Sequence, residues 1–398
     1  MNVLVVNTGG VTIELSIVDP AGRVEAQRMV DPWDGHDVEP IAAFVDDGPG
    51  VAAVGHRIVH GGVSTDRPLG EHGDVAGGTS TAVDAAGAVL IDDAVLRRIE
   101  EAAPLAPLHQ KRALLGIDAA RQALPDRPHV ACFDTAFHDT MPDVATTYAL
   151  PAEWRRRWPL RRRGFHGLSH RHVAEAAPRV VSHDANRRVS TAHRRIVSCH
   201  LGSGASVCAI LDGRSVDTSM GMTPLEGLVM VNRSGSVDPG LVLWLLQHGG
   251  LKVDEVSEGL QHRSGLKGLS EGSGDMRGVV QRMSRGERPA RLAFDVYMHR
   301  LRREIAAMTA SLGGVDLLAF TGAVGVHMPI VRAAATEGLA YLGIGIDPEQ
   351  NRSVGETWPA DGLDGIDIGA TDAAVGCVVV RGGEHLQIAA AVRDLLGV

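Results

Sequence analysis

The sequence is poor in aromatic side chains, 4% of the total, and has only four cysteines in 398 residues. Cys132, Cys199, Cys208 and Cys377 each sit inside an apolar run, and none has a partner at metal-ligand spacing. That excludes a disulfide scaffold and a zinc-ribbon arrangement, and it fits reduced thiols in a cytoplasmic protein. No apolar run approaches the ~20 residues of a membrane span. Met1 leads straight into an apolar segment with no basic leader, so no secretory signal is expected. Acidic residues outnumber basic ones and the net charge is −9, which argues against a general binder of nucleic acid or membrane surfaces. Two phosphate signatures are missing as well: neither G-x-x-x-x-G-K-[ST] nor G-x-G-x-x-G occurs.

Glycine is abundant, and its arrangement is informative. Residues 195–240 open with an apolar run, 196–199, that reads as a buried strand. His200-Leu-Gly-Ser-Gly204 follows, then a second apolar run at 205–211, an Asp212-Gly213 turn and a third strand at 215–218. Glycine lets the main chain approach an oxygen that a Cβ would hold away, so such a loop suits an anion. Taken alone, the segment is equally an ordinary glycine hairpin. The chain does this twice, however. Residues 1–24 run strand, Asn7-Thr-Gly-Gly10, strand, then Asp19-Pro-Ala-Gly22, in the same order. A repeat nearly half a chain apart predicts a duplicated unit, and two facing hairpins would clamp a polyphosphate.

Length allows two or three domains. In chain order, Arg57 and His60 interrupt an apolar strand that ends in two glycines. A charge there needs a partner, either an internal ion pair or an anionic substrate. Helical periodicity predicts helices over 92–102, 110–124, 237–248, 291–312 and 384–396. His109, just before the second, reads as a capping or surface residue. The strand 130–134 ends on Asp134, Thr135 and His138, at the carboxyl end where α/β sheets bind ligands. His166 and His170 have helical metal spacing, but Gly164 and Gly167 and the lack of an acidic ligand favour a loop that offers His and Arg to an anion. Residues 176–195 read as a surface loop, and 351–372 as a glycine-rich connection. Gly268-Leu-Ser270-Glu-Gly272 matches G-x-S-x-G, but polar residues precede it where a nucleophile elbow needs a strand. Strands are expected at 315–320, ending in Thr321-Gly-Ala-Val-Gly325, and at 375–380.

Together these motifs resemble one family, the acetate kinases of the acetate and sugar kinase/actin/chaperone-ATPase superfamily. The resemblance rests on GHRIVHGG (55–62), APLH (106–109), CFDTAFHDTMP (132–142), GFHGLSH (164–170) and HLGSGAS (200–206). VDTSMGMTPLEGL (216–228), NRSGSVDP (232–239), SGLKGLS (264–270) and GIDPEQN (345–351) extend it over nearly the whole chain.

The resemblance implies an α/β fold of two duplicated actin-like ATPase (RNase H-like) domains with a central cleft. Residues 1–136 with the helix at about 384–398 would form one, and 137–383 the other, in a homodimer. It implies phosphoryl transfer between ATP and acetate or a similar short carboxylate, giving acetyl phosphate and ADP, with Mg²⁺ or Mn²⁺. Arg57 and Arg233 would hold carboxylate and phosphoryl, His166 would stabilise the transition state, and Asp134 would be the catalytic acid residue. Val59, Leu108, Phe165 and Pro224 would enclose the substrate methyl. Asn7 and Glu384 would be the metal-associated pair. Nucleotide contacts would fall on Thr12, Glu14, His200, Leu201, Gly202, Ser203 and Gly204, on Asp275, Met276 and Arg277, and on Gly322, Ala323, Val324, Gly325 and Val326.

The chain departs from the family pattern on the donor side. N-x-G-S-S-S-x-K is here Asn7-Thr-Gly-Gly-Val-Thr-Ile-Glu14, so a lysine has become an acid. H-L-G-N-G carries Ser203, G-G-I-G-E-N ends in Val326-His327, and APLH is followed by Gln110-Lys111. Carboxylate recognition is therefore expected to survive while the donor site is altered. Pyrophosphate or another donor, and a non-catalytic nucleotide-binding relative, are the alternatives to ATP-dependent catalysis.

Overall fold

The structure, a computed structural model, describes residues 1–61, 87–107, 109–181, 195–355, 358 and 364–398. Leu108 lies outside the described residues. Among the described residues twelve strands form two six-stranded sheets. The first contains β1 (Val3–Thr8), β2 (Ile13–Val18), β3 (Val24–Val30), β4 (Ala53–Ile58), β5 (Ala88–Leu90) and β6 (His129–Phe133), in the order β3-β2-β1-β4-β6-β5. The second contains β7 (Arg195–Leu201), β8 (Ala205–Leu211), β9 (Arg214–Thr218), β10 (Leu317–Thr321), β11 (Gly365–Asp367) and β12 (Gly376–Val380), in the order β11-β12-β10-β7-β8-β9.

The duplication is visible in the pairing. β1 and β2 run antiparallel across the Gly9-Gly10 turn, as β7 and β8 do across Gly202-Ser-Gly204. Each hairpin's first strand then pairs in parallel with a later strand, β1 with β4 and β7 with β10. Parallel strands are apolar on both faces because helices cover both. Accordingly Val3 to Val6 of β1 and every residue of β10 are buried. The helix Glu384–Leu396 packs Ile388 and Val392 on β1 and β4, so the chain's last helix completes the first sheet's core.

Two local features differ from expectation, and a third agrees with it. The helix Gly167–Val181 starts at the second glycine of GFHG and runs into the segment read as a surface loop. Val173, Ala177 and Val180 bury against Ile196, Ile210 and Val378, and this packing holds residues 176–181 helical despite Pro178. The stretch 351–372 carries β11, an edge strand too short for an alternating pattern. Ser270 is a buried residue at the end of the helix Gly265–Ser270, and no strand precedes it, so the nucleophile-elbow geometry is absent there.

Candidate active site

A cleft of about 1270 Å³ lies between the sheets, walled by the ends of β1, β4 and β6 on one side and of β7 and β10 on the other. Arg57, in the last turn of β4, is aimed into it. Its Nε donates to Asp134 Oδ2 at 2.9 Å, Nη2 donates to the same oxygen, and Nη1 donates to Asn7 Oδ1 at 3.3 Å. Burial alone would lower the Arg57 pKa, but Asp134, with Glu384 and Glu14, outweighs it and holds the guanidinium charged. Asp134 is fully buried, and its other oxygen, Oδ1, has no hydrogen-bond partner among the described residues. Arg57 thus has both an internal partner and a face on the cleft.

Arg233 is arranged differently. It is 8% exposed, its Nη1 donates to Pro224 O at 3.0 Å, and its Nη2 reaches His109 Nε2 at 2.9 Å. Among the described residues no carboxylate pairs with it, and burial pulls its pKa down to about 10. His109, read from sequence as a cap or surface residue, makes no cap bond to its helix. Burial, with Arg233 and Arg57 adding repulsion, pushes it down to about 3, so it accepts from Arg233 as a neutral ring. A buried cation whose described partners are all neutral is a site for an anion.

His166 completes the convergence. Its φ of 55° is left-handed, a conformation that a side chain adopts only under local constraint. Its ring stacks on His200 with centroids 4.1 Å apart. Burial, then His200 and Arg57, hold its pKa well below the ordinary value, so the imidazole is neutral. A Cβ built on Gly204 would lie 3.2 Å from His166 Nε2 and 3.9 Å from Arg233 Nη1. One glycine turn therefore faces both donors, and any side chain at 204 would fill the space between them. Val59, Phe165 and Pro224 line the same end of the cleft and give it an apolar wall.

At the other end, Gly322 has a φ of 76°, and a Cβ there would fall 2.6 Å from Leu201 O. Gly202, Ser203, Gly204, Gly322, Ala323, Val326 and His327 line this end. Thr12, Leu201, Val324, Gly325, Asp275, Met276 and Arg277 do not line it. Asp275 caps the helix Met276–Ser284 and Met276 is buried. Glu14 faces the cleft and is held there: Gln27 Nε2 donates to its Oε1 at 2.6 Å and Asn7 Nδ2 to its Oε2 at 3.2 Å. Gln27, His109, and the pair in which Arg381 covers the Trp358 ring at 4.1 Å are cleft residues the sequence did not single out. None belongs to a recognisable motif apart from His109, the last letter of APLH.

Among the described residues no three His, Cys, Asp or Glu side chains cluster tightly enough to cage a metal alone. Magnesium is commonly held by one or two carboxylates plus substrate phosphates. Asp134 with its unpartnered Oδ1, and Glu384, fit that donor set. Burial would raise the Glu384 pKa, but His200 and Arg57 outweigh it and keep the carboxylate ionised. Asn7 lies beside them, its Oδ1 turned to Arg57.

The family profile of the acetokinases matches residues 72–390. The chain belongs to the acetokinase family. It is 44% identical over 340 residues to an acetate kinase of Coprothermobacter proteolyticus, covering 85% of this chain and 76% of that one. Among solved structures, it is similar to the acetate kinase of Porphyromonas gingivalis, at 32% identity and TM-score 0.80 over 99% of both chains. It is also similar to a propionate kinase of Francisella tularensis, at 29% identity and TM-score 0.82 over 98% of both. As an acetokinase-family chain it has the α/β, actin-like ATPase architecture expected from its sequence.

Proposed function

We propose that this protein is an acetate kinase: it transfers a phosphoryl group between ATP and acetate, or a similar short carboxylate, giving acetyl phosphate and ADP. The observation that carries the reading is Arg233, a buried cation with only neutral described partners, which faces Gly204 together with His166 and lines one cleft with Arg57. A carboxylate of ordinary pKa, about 4–5, is already ionised at neutral pH and needs no general base. What opposes the reaction is repulsion between two anions. Arg57 and Arg233 screen it, and the neutral His166 donates to oxygens on which transition-state charge spreads. The carboxylate attacks phosphorus in line with the departing ADP oxygen. Asp134, already engaged by Arg57, orients that arginine. Val59, Phe165 and Pro224 enclose the acyl chain, where each methylene changes discrimination by about 1–3 kcal/mol. Asp134 and Glu384, with Asn7 nearby, would hold magnesium, which supplies charge neutralisation on the phosphates when bound.

We assign the nucleotide to Gly202, Ser203 and Gly204, with Gly322, Ala323 and Val326 opposite and Glu14 and His200 on the cleft wall; Thr12, Leu201, Val324, Gly325 and Asp275 to Arg277, which do not line the cleft, are given no contact. We divide the chain into domains at 136/137, with residues 384–398 joining the first, and place it in the cytoplasm, a reading supported by cysteines that are few and all buried in apolar surroundings. A homodimer is supported by the helix Pro239–Gln247, where Leu241, Leu243 and Trp244 are exposed and no residue is buried.

One observation favours a second reading of the donor. Glu14 stands on the donor wall where the family pattern has lysine, and Gln27 and Asn7 fix it there. Trapping acyl phosphate with hydroxylamine in the presence of acetate, with ATP and pyrophosphate compared, decides between them. Faster hydroxamate formation with ATP supports the proposal. Formation with pyrophosphate alone gives the altered donor, and formation with neither gives the non-catalytic relative.

A further inference from the structure

His166 has two ring nitrogens, and only one tautomer is useful to the proposed reaction. A neutral imidazole stabilises phosphoryl oxygens if the nitrogen facing the cleft carries the proton, and repels them if it carries the lone pair. Nothing in His166 itself decides between the two. Behind it runs a chain of hydrogen bonds. His166 Nδ1 lies 2.9 Å from Ser206 Oγ, Ser206 Oγ lies 2.8 Å from His170 Nε2, and His170 Nδ1 lies 2.8 Å from Ser198 Oγ. Ser206, His170 and Ser198 are all 0% exposed.

Such a chain has two self-consistent directions. In one, the Ser198 hydroxyl donates to His170 Nδ1, His170 Nε2–H donates to Ser206, Ser206 donates to His166 Nδ1, and the proton of His166 sits on Nε2. In the other, every bond reverses and His166 Nε2 presents a lone pair to the cleft. The far end chooses. His170 is the one side-chain partner that the Ser198 hydroxyl has among the described residues. In the reversed direction Ser198 accepts, and its own O–H is left buried with no acceptor. In the forward direction only a lone pair goes unused, which costs less than an orphaned donor.

We infer that Ser198, His170 and Ser206 form a one-way hydrogen-bond relay that holds His166 in its Nε2–H tautomer, which makes all three positioning residues for phosphoryl transfer. The inference rests on the proposed reaction for its purpose, but not for its geometry. The Nε2 of His166 is the ring nitrogen that faces Gly204, so the relay fixes a donor on the side of that glycine turn. Ser169 Oγ, 2.8 Å from His200 Nδ1, sets the stacked partner ring in the same manner.

The test reads tautomers directly. The full chain, labelled with ¹⁵N in its histidines, is examined without ligand near neutral pH by long-range ¹H–¹⁵N correlation. The relay predicts the Nε2–H pattern for both His166 and His170. An Nδ1–H pattern at either ring overturns it. Ser198→Ala removes the terminal donor and leaves His170 Nδ1 unsatisfied in either direction, so the gap between the two narrows: a share of His166 should appear as Nδ1–H, with kcat reduced ~2-fold or more and the carboxylate KM changed less than ~2-fold. Unchanged tautomer and unchanged kcat in that variant overturn the relay. If Ser198→Ala does not fold, the wild-type spectrum decides alone. Failure of the wild-type chain to make any acyl phosphate counts against the proposed function, and the spectrum still judges the relay separately.

Discussion

Replacing Arg332 by methionine removes a side chain that is 0% exposed and stands behind the nucleotide loop rather than in it. Its Nη1 donates to Gly325 O at 2.8 Å and Val326 O at 2.6 Å, the terminal carbonyls of the short helix Gly322–His327. Its Nε donates to Asn351 Oδ1 at 2.7 Å and its Nη2 to Asn351 O at 2.6 Å. Four buried acceptors lose their donor at once. At about 1–3 kcal/mol for each acceptor left unsatisfied, the gross cost is about 4–12 kcal/mol. Against this, the variant no longer buries a guanidinium, whose desolvation is what pulls its pKa down to about 10. The net loss is therefore expected near the lower end, about 3–5 kcal/mol. Arg332→Lys should recover little of it, because a point charge cannot span three peptide carbonyls and a side-chain amide. The loop that loses its anchor carries Gly322, Ala323 and Val326, so the KM for the phosphoryl donor should rise several-fold while that for the carboxylate stays put. Urea unfolding followed by circular dichroism, with initial rates measured well below the transition, checks both. A variant with the wild-type urea midpoint and the wild-type donor KM would refute the assignment of Arg332 as the loop's anchor.

Two further outcomes follow from buried histidines and an exposed helix. Burial pushes His60 and His138 from the ordinary 6.5 down to about 4. Between those values the unfolded chain binds the protons that the folded chain refuses, so stability is full above about pH 6.5 and falls as pH drops toward 4, by up to about 1.4 kcal/mol per pH unit for each ring. Urea midpoints measured at about pH 7 and about pH 5 should therefore differ, and a flat profile contradicts the neutral, buried state of both rings. Trp244→Asp, on the exposed apolar face of Pro239–Gln247, should convert a dimer to monomer in sedimentation without lowering the thermal stability of the monomer. A variant that remains dimeric removes that helix from the interface.

What the sequence made legible was whatever is written locally. The helix Glu384–Leu396 and strands such as β8 are bounded by glycines, acids and changes of period, and they lie where expected. The two hairpins were readable because the order strand, glycine loop, strand, Asp repeats. The parallel pairing of β4 with β1 on one side and β6 on the other was not, since it joins segments that share no local signal. Helix Gly167–Val181 was mistaken for loop because glycine and proline propensities oppose it, and burial against β7 and β12 overrides them. Within the site, Arg57 stood out as a charge in an apolar strand, and Arg233 through the family resemblance. His109 was visible in its motif, but its bond to Arg233, 124 residues away, was not. Arg332 lies in an ordinary amphipathic helix and gives no hint that it is fully buried.

The central claim, that Arg57 and Arg233 act on one phosphoryl group, is tested most directly by a double-mutant cycle. Turnover is compared for the wild-type chain, Arg57→Ala, Arg233→Ala and the double variant, with acyl phosphate trapped as hydroxamate. Arg233→Ala alone should lose about 10²–10³-fold in turnover. The double variant should lose clearly less than the product of the two single losses, because both arginines serve the same charge. Losses that multiply without coupling, or an Arg233→Ala variant with wild-type turnover, would contradict the account.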